Sequence, residues 1–155
     1  MSFALIGVNQ QPWDTTWRPG VSTRNWSAEI DGAREIHVGE QFFEPGKGVP
    51  PHWHTYEEHL MVVEGQMEFR ADGEVHVVSA PACVVIHART EHEFKAVGEK
   101  PLHIYGVISS PIHESYFKSF EEGESVRQYE ANYEAGARRK VRIDPETHEL
   151  VTREL

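Results

Sequence analysis

The chain has 155 residues, of which 39% are hydrophobic and 26% are charged, so it suits one folded domain and is neither disordered nor embedded in a membrane. Its 25 acidic residues outnumber its 15 basic ones, and the formal charge of -10 disfavours nucleic acid and anionic membrane surfaces as partners. The 10 histidines are an excess, and imidazole is the side chain that most often binds metals or transfers protons near neutral pH.

Residues 1–30 are predicted to form an N-terminal arm. This segment carries three of the four tryptophans, Trp13, Trp17 and Trp26, among prolines, glycines and hydroxyl residues. It has neither the period-2 pattern of a strand nor the 3.6-residue pattern of a helix. We expect the arm to lie on the core and to cover an exposed sheet.

Residues 31–112 are predicted to form the core domain. Short runs rich in β-branched and aromatic residues alternate there with turn residues, a pattern typical of a compact antiparallel barrel or sandwich. The predicted strands cover residues 36–43, 59–63, 67–70, 75–78, 83–86, 92–96 and 102–108. The core is therefore expected to be all-β.

Residues 113–155 form a charged C-terminal extension. Two segments on either side of Gly123, residues 114–122 and 125–133, have the composition of helices. We expect this extension either to wrap around the core or to fray, with its charges in water.

The segment around two closely spaced histidines carries the strongest chemical signal. A Pro-Pro pair at 50–51 excludes a helix, so the chain that enters His52 is extended. Residues i and i+2 of a strand share a face about 6.6 Å apart, so His52 and His54 can converge on one ion. Glu58 would lie about 13 Å from His54 along a continuous strand. A turn before Glu58 is therefore needed to bring its carboxylate to the same interior.

The spacing of five residues resembles the first motif of the cupin family. That motif reads glycine, five residues, His-x-His, three or four residues, glutamate, six residues and glycine, and its fixed positions match Gly46, His52, His54, Glu58 and Gly65. The resemblance implies a single-domain jelly-roll barrel, also called a double-stranded β-helix. It also implies that His52, His54 and Glu58 bind a metal ion.

The second cupin motif supplies one more histidine and corresponds here to residues 73–96. The resemblance implies that His92 is the fourth metal ligand, with His87 as the alternative. The match is looser than in the first motif. Cys83 or Pro81 replaces a usual glycine, and Ala96 stands where many cupins have asparagine.

Three imidazoles and one carboxylate suit a divalent transition metal such as Fe, Mn, Ni, Co, Cu or Zn better than Mg or Ca. Fe or Mn is favoured by the leading hypothesis, a mononuclear oxidoreductase of the dioxygenase type that acts on a small oxygenated substrate. The alternatives are a redox-neutral lyase or isomerase of a carbohydrate or carboxylic acid, and a non-catalytic small-molecule-binding module.

Several other side chains are candidates for the cavity. Tyr105 is the best candidate for a catalytic acid, base or orienting hydroxyl. Phe94 suits either a pocket wall or the core. The strand before the first motif lines the cavity either with Gln41 and Phe43 or with Glu40 and Phe42.

The remaining expectations concern surfaces. Trp53 should face outward and pack under the arm or across a homodimer interface. Cys83 is expected to be a buried small hydrophobe. A single cysteine and the lack of a signal-peptide pattern favour the cytoplasm. The histidines expected to point away from the metal or to lie on the surface are His37, His59, His76, His113 and His148.

Overall fold

The structure, a computed structural model, describes residues 3–7, 11–117, 127–132, 137–143 and 150–154. Apart from one 3₁₀ turn at Glu29–Asp31, the regular structure of these residues is strand, which confirms the predicted all-β class. The strands are β1 (Val21–Ser27), β2 (His37–Phe43), β3 (Gly48–Trp53), β4 (Glu58–Glu64), β5 (Gln66–Ala71), β6 (Glu74–Ser79), β7 (Ala82–Ile86), β8 (His92–Val97), β9 (Leu102–Ile108), β10 (Tyr116–Phe117), β11 (Arg127–Asn132), β12 (Ala137–Ile143) and β13 (Leu150–Glu154).

Two five-stranded antiparallel sheets face each other across one core. The first sheet has the order β1-β2-β9-β4-β7 and the second has the order β10-β3-β8-β5-β6. Phe43 of the first sheet and Phe94 of the second meet edge to face, with their ring centroids 5.3 Å apart. Phe94 is therefore a core residue that joins the sheets. Other buried residues of this core are Leu60, Val62, Met67, Phe69, Leu102 and Ile104.

Two turns show why the strand boundaries follow the sequence. β5 and β6 are joined by Asp72 and Gly73, whose φ angles are 53° and 81°, and positive φ at both positions matches the twist of a two-residue hairpin. Between β4 and β5, Gly65 has a φ of 83°. A Cβ added there would lie 2.4 Å from the carbonyl oxygen of Pro101, so this motif glycine is required both for its conformation and for space.

The N-terminal segment is more ordered than its composition suggests. Its last part is β1, which pairs with β2 along the edge of the first sheet. Trp13 contacts Phe42, and Trp26 contacts Tyr105, each at a ring-centroid distance of 5.3 Å. These contacts place both tryptophans on the outer face of the first sheet.

The predicted C-terminal helices are wrong wherever the structure describes them. Tyr116–Phe117 is a short strand that pairs with the edge of β3, and Arg127–Asn132 pairs with β12. Strand pairing, with the distant β3 in the first case and with the next strand in the second, satisfies the backbone here and overrides the local helical composition. Residues 118–122, 125, 126 and 133, which complete the two predicted helices, and His148 lie outside the described residues. Within the described part of the chain, no helix has the length and apolar character needed to cross a membrane.

Candidate metal centre

Four polar side chains meet at one end of the barrel interior. His52 and Glu58 belong to β3 and β4, His54 directly follows β3, and His92 begins β8. His52 and His92 are direct partners in the antiparallel pairing of β3 and β8. All four residues are at most 7% exposed. One ligand atom from each lies within 4.8 Å of all the others, close to the ~4 Å that separates opposite ligands when each metal bond is about 2 Å.

A β-bulge aims the first histidine inward. The pairing of β3 with β8 shifts register between Val49 and His52, at the two prolines that cannot donate backbone hydrogen bonds to a neighbouring strand. Val49 and His52 are three residues apart, yet both are buried. Strict alternation would have placed them on opposite faces of the sheet, so the bulge is what brings His52 into the interior.

Backbone carbonyls orient all three imidazoles. The Nδ1–H groups of His52, His54 and His92 donate to the carbonyl oxygens of Pro50, Glu114 and Thr90, at 2.8, 2.5 and 2.9 Å respectively. Because a carbonyl accepts only, each Nδ1 carries a proton, and in the neutral ring Nε2 then keeps its lone pair. This arrangement is typical of metal-binding histidines, whose second nitrogen is fixed by an outer hydrogen bond.

The buried lone pairs of this cluster lack hydrogen-bond partners. The Nε2 atoms of His54 and His92 each lie 3.2 Å from Oε2 of Glu58, yet none of these three buried atoms has a hydrogen-bond partner. Three unpaired acceptors in one buried cluster are costly unless a cation lies among them. The donor set therefore fits a divalent transition metal.

Burial and neighbouring charges shift the pKa values of three cluster residues in different directions. Burial lowers the pKa of His52 well below its ordinary value. Burial acts to raise the pKa of Glu58, but the neighbouring His54 and His92 outweigh it and hold that pKa well below its usual range. Burial also acts to lower the pKa of His54, whereas the neighbouring Glu58 charge raises it, and the net shift is upward.

Comparison with known proteins agrees with this geometry. Residues 33–108, about half of the chain, match the family model described as the cupin domain. This chain belongs to the cupin superfamily. The superposition on the polyketide cyclase RemF from Streptomyces resistomycificus covers 77% of this chain and 88% of that chain, with a TM-score of 0.64 and 19% identity.

Two further matches cover only part of the proteins compared. An oxalate decarboxylase from Lactobacillus farciminis, solved as a formate complex, superposes on 76% of this chain and 37% of that chain, with a TM-score of 0.66 and 16% identity. The protein named polyketide synthase CurC from Streptomyces cyaneus is 34% identical over 70 residues, which are 44% of this chain. The matched region spans 46% of that relative's length.

The structure distinguishes between the alternatives for the fourth ligand and for the cavity wall. His92 lies in the cluster, whereas the side chain of His87 is 81% exposed and pairs with Glu57. On β2 the buried Phe43 marks the inward-facing parity, so Gln41 shares the inner face of the cupin barrel. Glu40 belongs to the outer face.

Tyr105 is not brought to the metal cluster. It pairs with Glu40 on β2 and with Met61 on β4, and Met61 alternates with the inward-facing Leu60. Its hydroxyl donates to Glu40 at 3.2 Å. Tyr105 therefore faces outward, and the predicted catalytic role at the metal does not agree with its position. The outward orientation of Tyr105 follows from the pairing register of its strand, and that register cannot be read from the sequence of one strand alone.

Two surface expectations are corrected and a third agrees with the structure. Trp53 stacks on Tyr116 at 4.1 Å, so a C-terminal strand covers it instead of the arm. Cys83 is exposed, because its partner Met61 lies on the outer face. His59 and His76 do lie at the surface and pair with nearby glutamates.

Sequence reasoning missed four residues beside the cluster. His37 is only 7% exposed and has the inward parity of Phe43, a signal that the sequence contained. His113 stacks edge-on against both His37 and His54. Tyr56 and Glu114 are buried, and no pattern in the sequence predicted that they would support His54.

Proposed function

We propose that this cupin is a mononuclear metal-dependent enzyme that acts on a small oxygenated substrate. The observation that carries the proposal is the set of buried, unpaired acceptors on His54, Glu58 and His92, with both imidazoles held in place by outer hydrogen bonds. A bound transition metal would supply a Lewis acid that polarises a carbonyl or carboxylate oxygen. Four protein ligands would leave room for a chelating substrate on a six-coordinate ion.

The favoured reaction class is redox-neutral. RemF is named a polyketide cyclase and the Lactobacillus protein an oxalate decarboxylase, and neither name denotes net oxidation. The role of the protein side chains is to bind the substrate and to exclude water from the reacting groups. Ile86 and Ile108, the register partners of Glu58 on either side, are both buried and would give the reacting groups an apolar wall.

The second candidate is the dioxygenase-type oxidoreductase. The supporting observation is the ligand set itself, since three imidazoles and one carboxylate also suit Fe or Mn. Oxygen consumption separates the two candidates. Protein loaded with Fe(II) or with zinc is incubated with a polyketide-like β-diketone and with oxalate, in air and without oxygen. Turnover that needs no oxygen supports the redox-neutral class, and turnover that consumes oxygen supports the oxidoreductase.

Metal content tests the centre independently of any substrate. We expect untagged protein to bind one divalent ion per chain, and His52→Ala and His92→Ala to reduce that content about tenfold or more. His76→Ala is the matched control, because His76 is an exposed histidine bonded to Glu74. Full metal retention in both ligand variants would reject the proposed centre.

A further inference from the structure

A cavity of about 480 Å³ opens on the outer face of the second sheet, and none of the four cluster residues lines it. Its volume lies within the ~300–1,000 Å³ typical of clefts for organic ligands. Lys95 is the register partner of Gly48 on β3 and of Glu68 on β5. This row alternates with the buried Val49 and Phe94, so it faces away from the core.

Strand β3 gives the cavity a floor with little side-chain bulk. Gly48 and Pro50 both line it. A Cβ at Gly48 would collide with the carbonyl oxygen of Phe94, so this position has to remain without a side chain. Pro50 adds only its apolar ring. The longer side chains of β5, β8 and the N-terminal arm therefore form walls around an open floor.

The walls carry an excess of positive charge. They contain three basic and two acidic side chains, namely Arg18, Arg70 and Lys95 with Glu68 and Glu93. The lining thus has a net charge of +1, whereas the formal charge of the whole chain is -10. A locally positive cleft attracts anions to that place on an otherwise acidic surface.

The ion pairs within the walls engage mainly one carboxylate. Oε1 of Glu68 accepts from Nε and Nη2 of Arg70 at 3.1 and 2.9 Å and lies 3.1 Å from Nζ of Lys95. Oε1 of Glu93 is 3.9 Å from Nε of Arg70, which is beyond hydrogen-bond distance. A guanidinium has five N–H groups and an ammonium has three, so the two cations that share Glu68 can also bind a further anion.

Arg18 adds a half-buried cation from the N-terminal arm. Its guanidinium carbon lies 5.2 Å from the centroid of the Trp17 ring, and burial lowers its pKa. Charges attract more strongly where water is partly excluded than in bulk solvent. An anion in the cavity would therefore gain most from Arg18.

We propose that this cavity binds a small organic monoanion, with its carboxylate against the three basic side chains and its apolar body over Gly48 and Pro50. The site is separate from the metal centre and does not depend on the proposed function. An inorganic ion would fill a small part of the volume and leave the floor in water, whereas a hydrocarbon or aromatic body would cover it.

The test compares benzoate with benzamide, its uncharged counterpart of similar shape, and with inorganic phosphate. Amide NMR signals of the ¹⁵N-labelled full chain, with and without zinc, follow each titration. We expect benzoate to shift the amides of Gly48, Glu93 and Lys95 in both forms and to bind about 10-fold more tightly than benzamide, the value of one charged hydrogen bond. Sodium chloride at high concentration should reduce that preference. The amide of Gly106, beside Glu58, reports binding at the metal centre separately.

Two charge variants should change the affinity in opposite directions. Lys95→Gln removes a wall cation and should weaken benzoate about 2–5-fold, whereas Glu93→Gln removes a wall anion and should tighten it about 2–5-fold. Lys100→Gln is the matched control, because Lys100 is exposed and does not line the cavity. Benzamide should respond to none of these changes.

Three results would overturn the site: equal affinities for benzoate and benzamide, benzoate shifts confined to Gly106, or a shift in the same direction in both charge variants. Tighter binding of phosphate than of benzoate would overturn the organic class of the ligand. Failure of the protein to bind zinc would overturn the proposed function and leave this site standing, because the metal-free titration tests it alone.

Discussion

The hydroxyl of Tyr56 is the most informative single group to remove outside the metal ligands. It donates to the carbonyl oxygen of Glu114 at 2.6 Å and accepts from the backbone N–H of Glu114 at 2.7 Å. The same carbonyl accepts the Nδ1–H of His54. Tyr56 therefore fixes the backbone that orients one candidate ligand, and Tyr56→Phe keeps the ring that stacks on His54 at 5.1 Å.

The size of the effect follows from counting these bonds. The Glu114 carbonyl keeps its bond from His54, so it loses one of two donors, at about 0.5–1.5 kcal/mol. The buried N–H loses the hydroxyl as its acceptor, at about 1–3 kcal/mol. We expect Tyr56→Phe to lower the free energy of unfolding by about 2–4 kcal/mol and to weaken zinc binding about 10–100-fold.

Urea unfolding of the metal-free protein and zinc competition against a chromogenic chelator measure the two effects. The matched control is Tyr105→Phe, which removes one 3.2 Å bond to Glu40, a carboxylate that keeps bonds from Arg24, Trp26 and His103. That control should leave zinc affinity unchanged. Tyr56→Phe with wild-type zinc affinity would refute the view that this backbone segment positions His54.

Further predictions concern the acid sensitivity of the fold, its stabilisation by zinc and the substitution of two turn glycines. Burial lowers the pKa of His37 from 6.5 to about 4, so the unfolded chain binds the proton first as pH falls. His37 should therefore remove about 3 kcal/mol of stability between pH 7 and 4, and His37→Phe should show that much less acid sensitivity in urea titrations. Zinc at about 100 times its Kd should add about 2.7 kcal/mol to the free energy of unfolding, and EDTA should reverse the gain; no shift in the melting curve would count against the centre. Gly65→Ala should destabilise more than Gly73→Ala, because both need positive φ but only Gly65 adds a clash, with Pro101; equal losses in unfolding free energy would contradict this. A homodimer stays a prediction, and a monomeric mass by light scattering would exclude it.

The fold and most of the buried His-Glu cluster were predictable because they depend on local spacing. Period-2 runs and turn residues defined the seven predicted strands, and the His-x-His spacing with Glu58 defined the centre. His92 followed from the resemblance to cupins. The strand runs and the first motif are local signals, and over such a range strand geometry constrains where side chains point.

The orientation of Tyr105 and the support of His54 could not be predicted, because both depend on how distant segments of the chain pair. Tyr105 was assigned to the cavity although its face depends on its pairing with Met61 and Glu40. Glu114 lies 60 residues from His54 in the chain, yet its carbonyl orients that ring. A one-residue change of register would reverse the face of every side chain in a strand. Single-strand patterns therefore identify which residues alternate but not which neighbours they meet.

Two buried carboxylates show why partners matter more than burial in recognising a site. Glu40 is 4% exposed and Glu58 is 7% exposed, so burial does not separate them. Glu40 accepts from Arg24 and Trp26 on one oxygen and from His103 and Tyr105 on the other. Both oxygens of Glu40 therefore have hydrogen-bond donors, and its burial requires no bound ligand. Oε2 of Glu58 lies among imidazole lone pairs without a donor, and only a cation at that point makes its burial favourable.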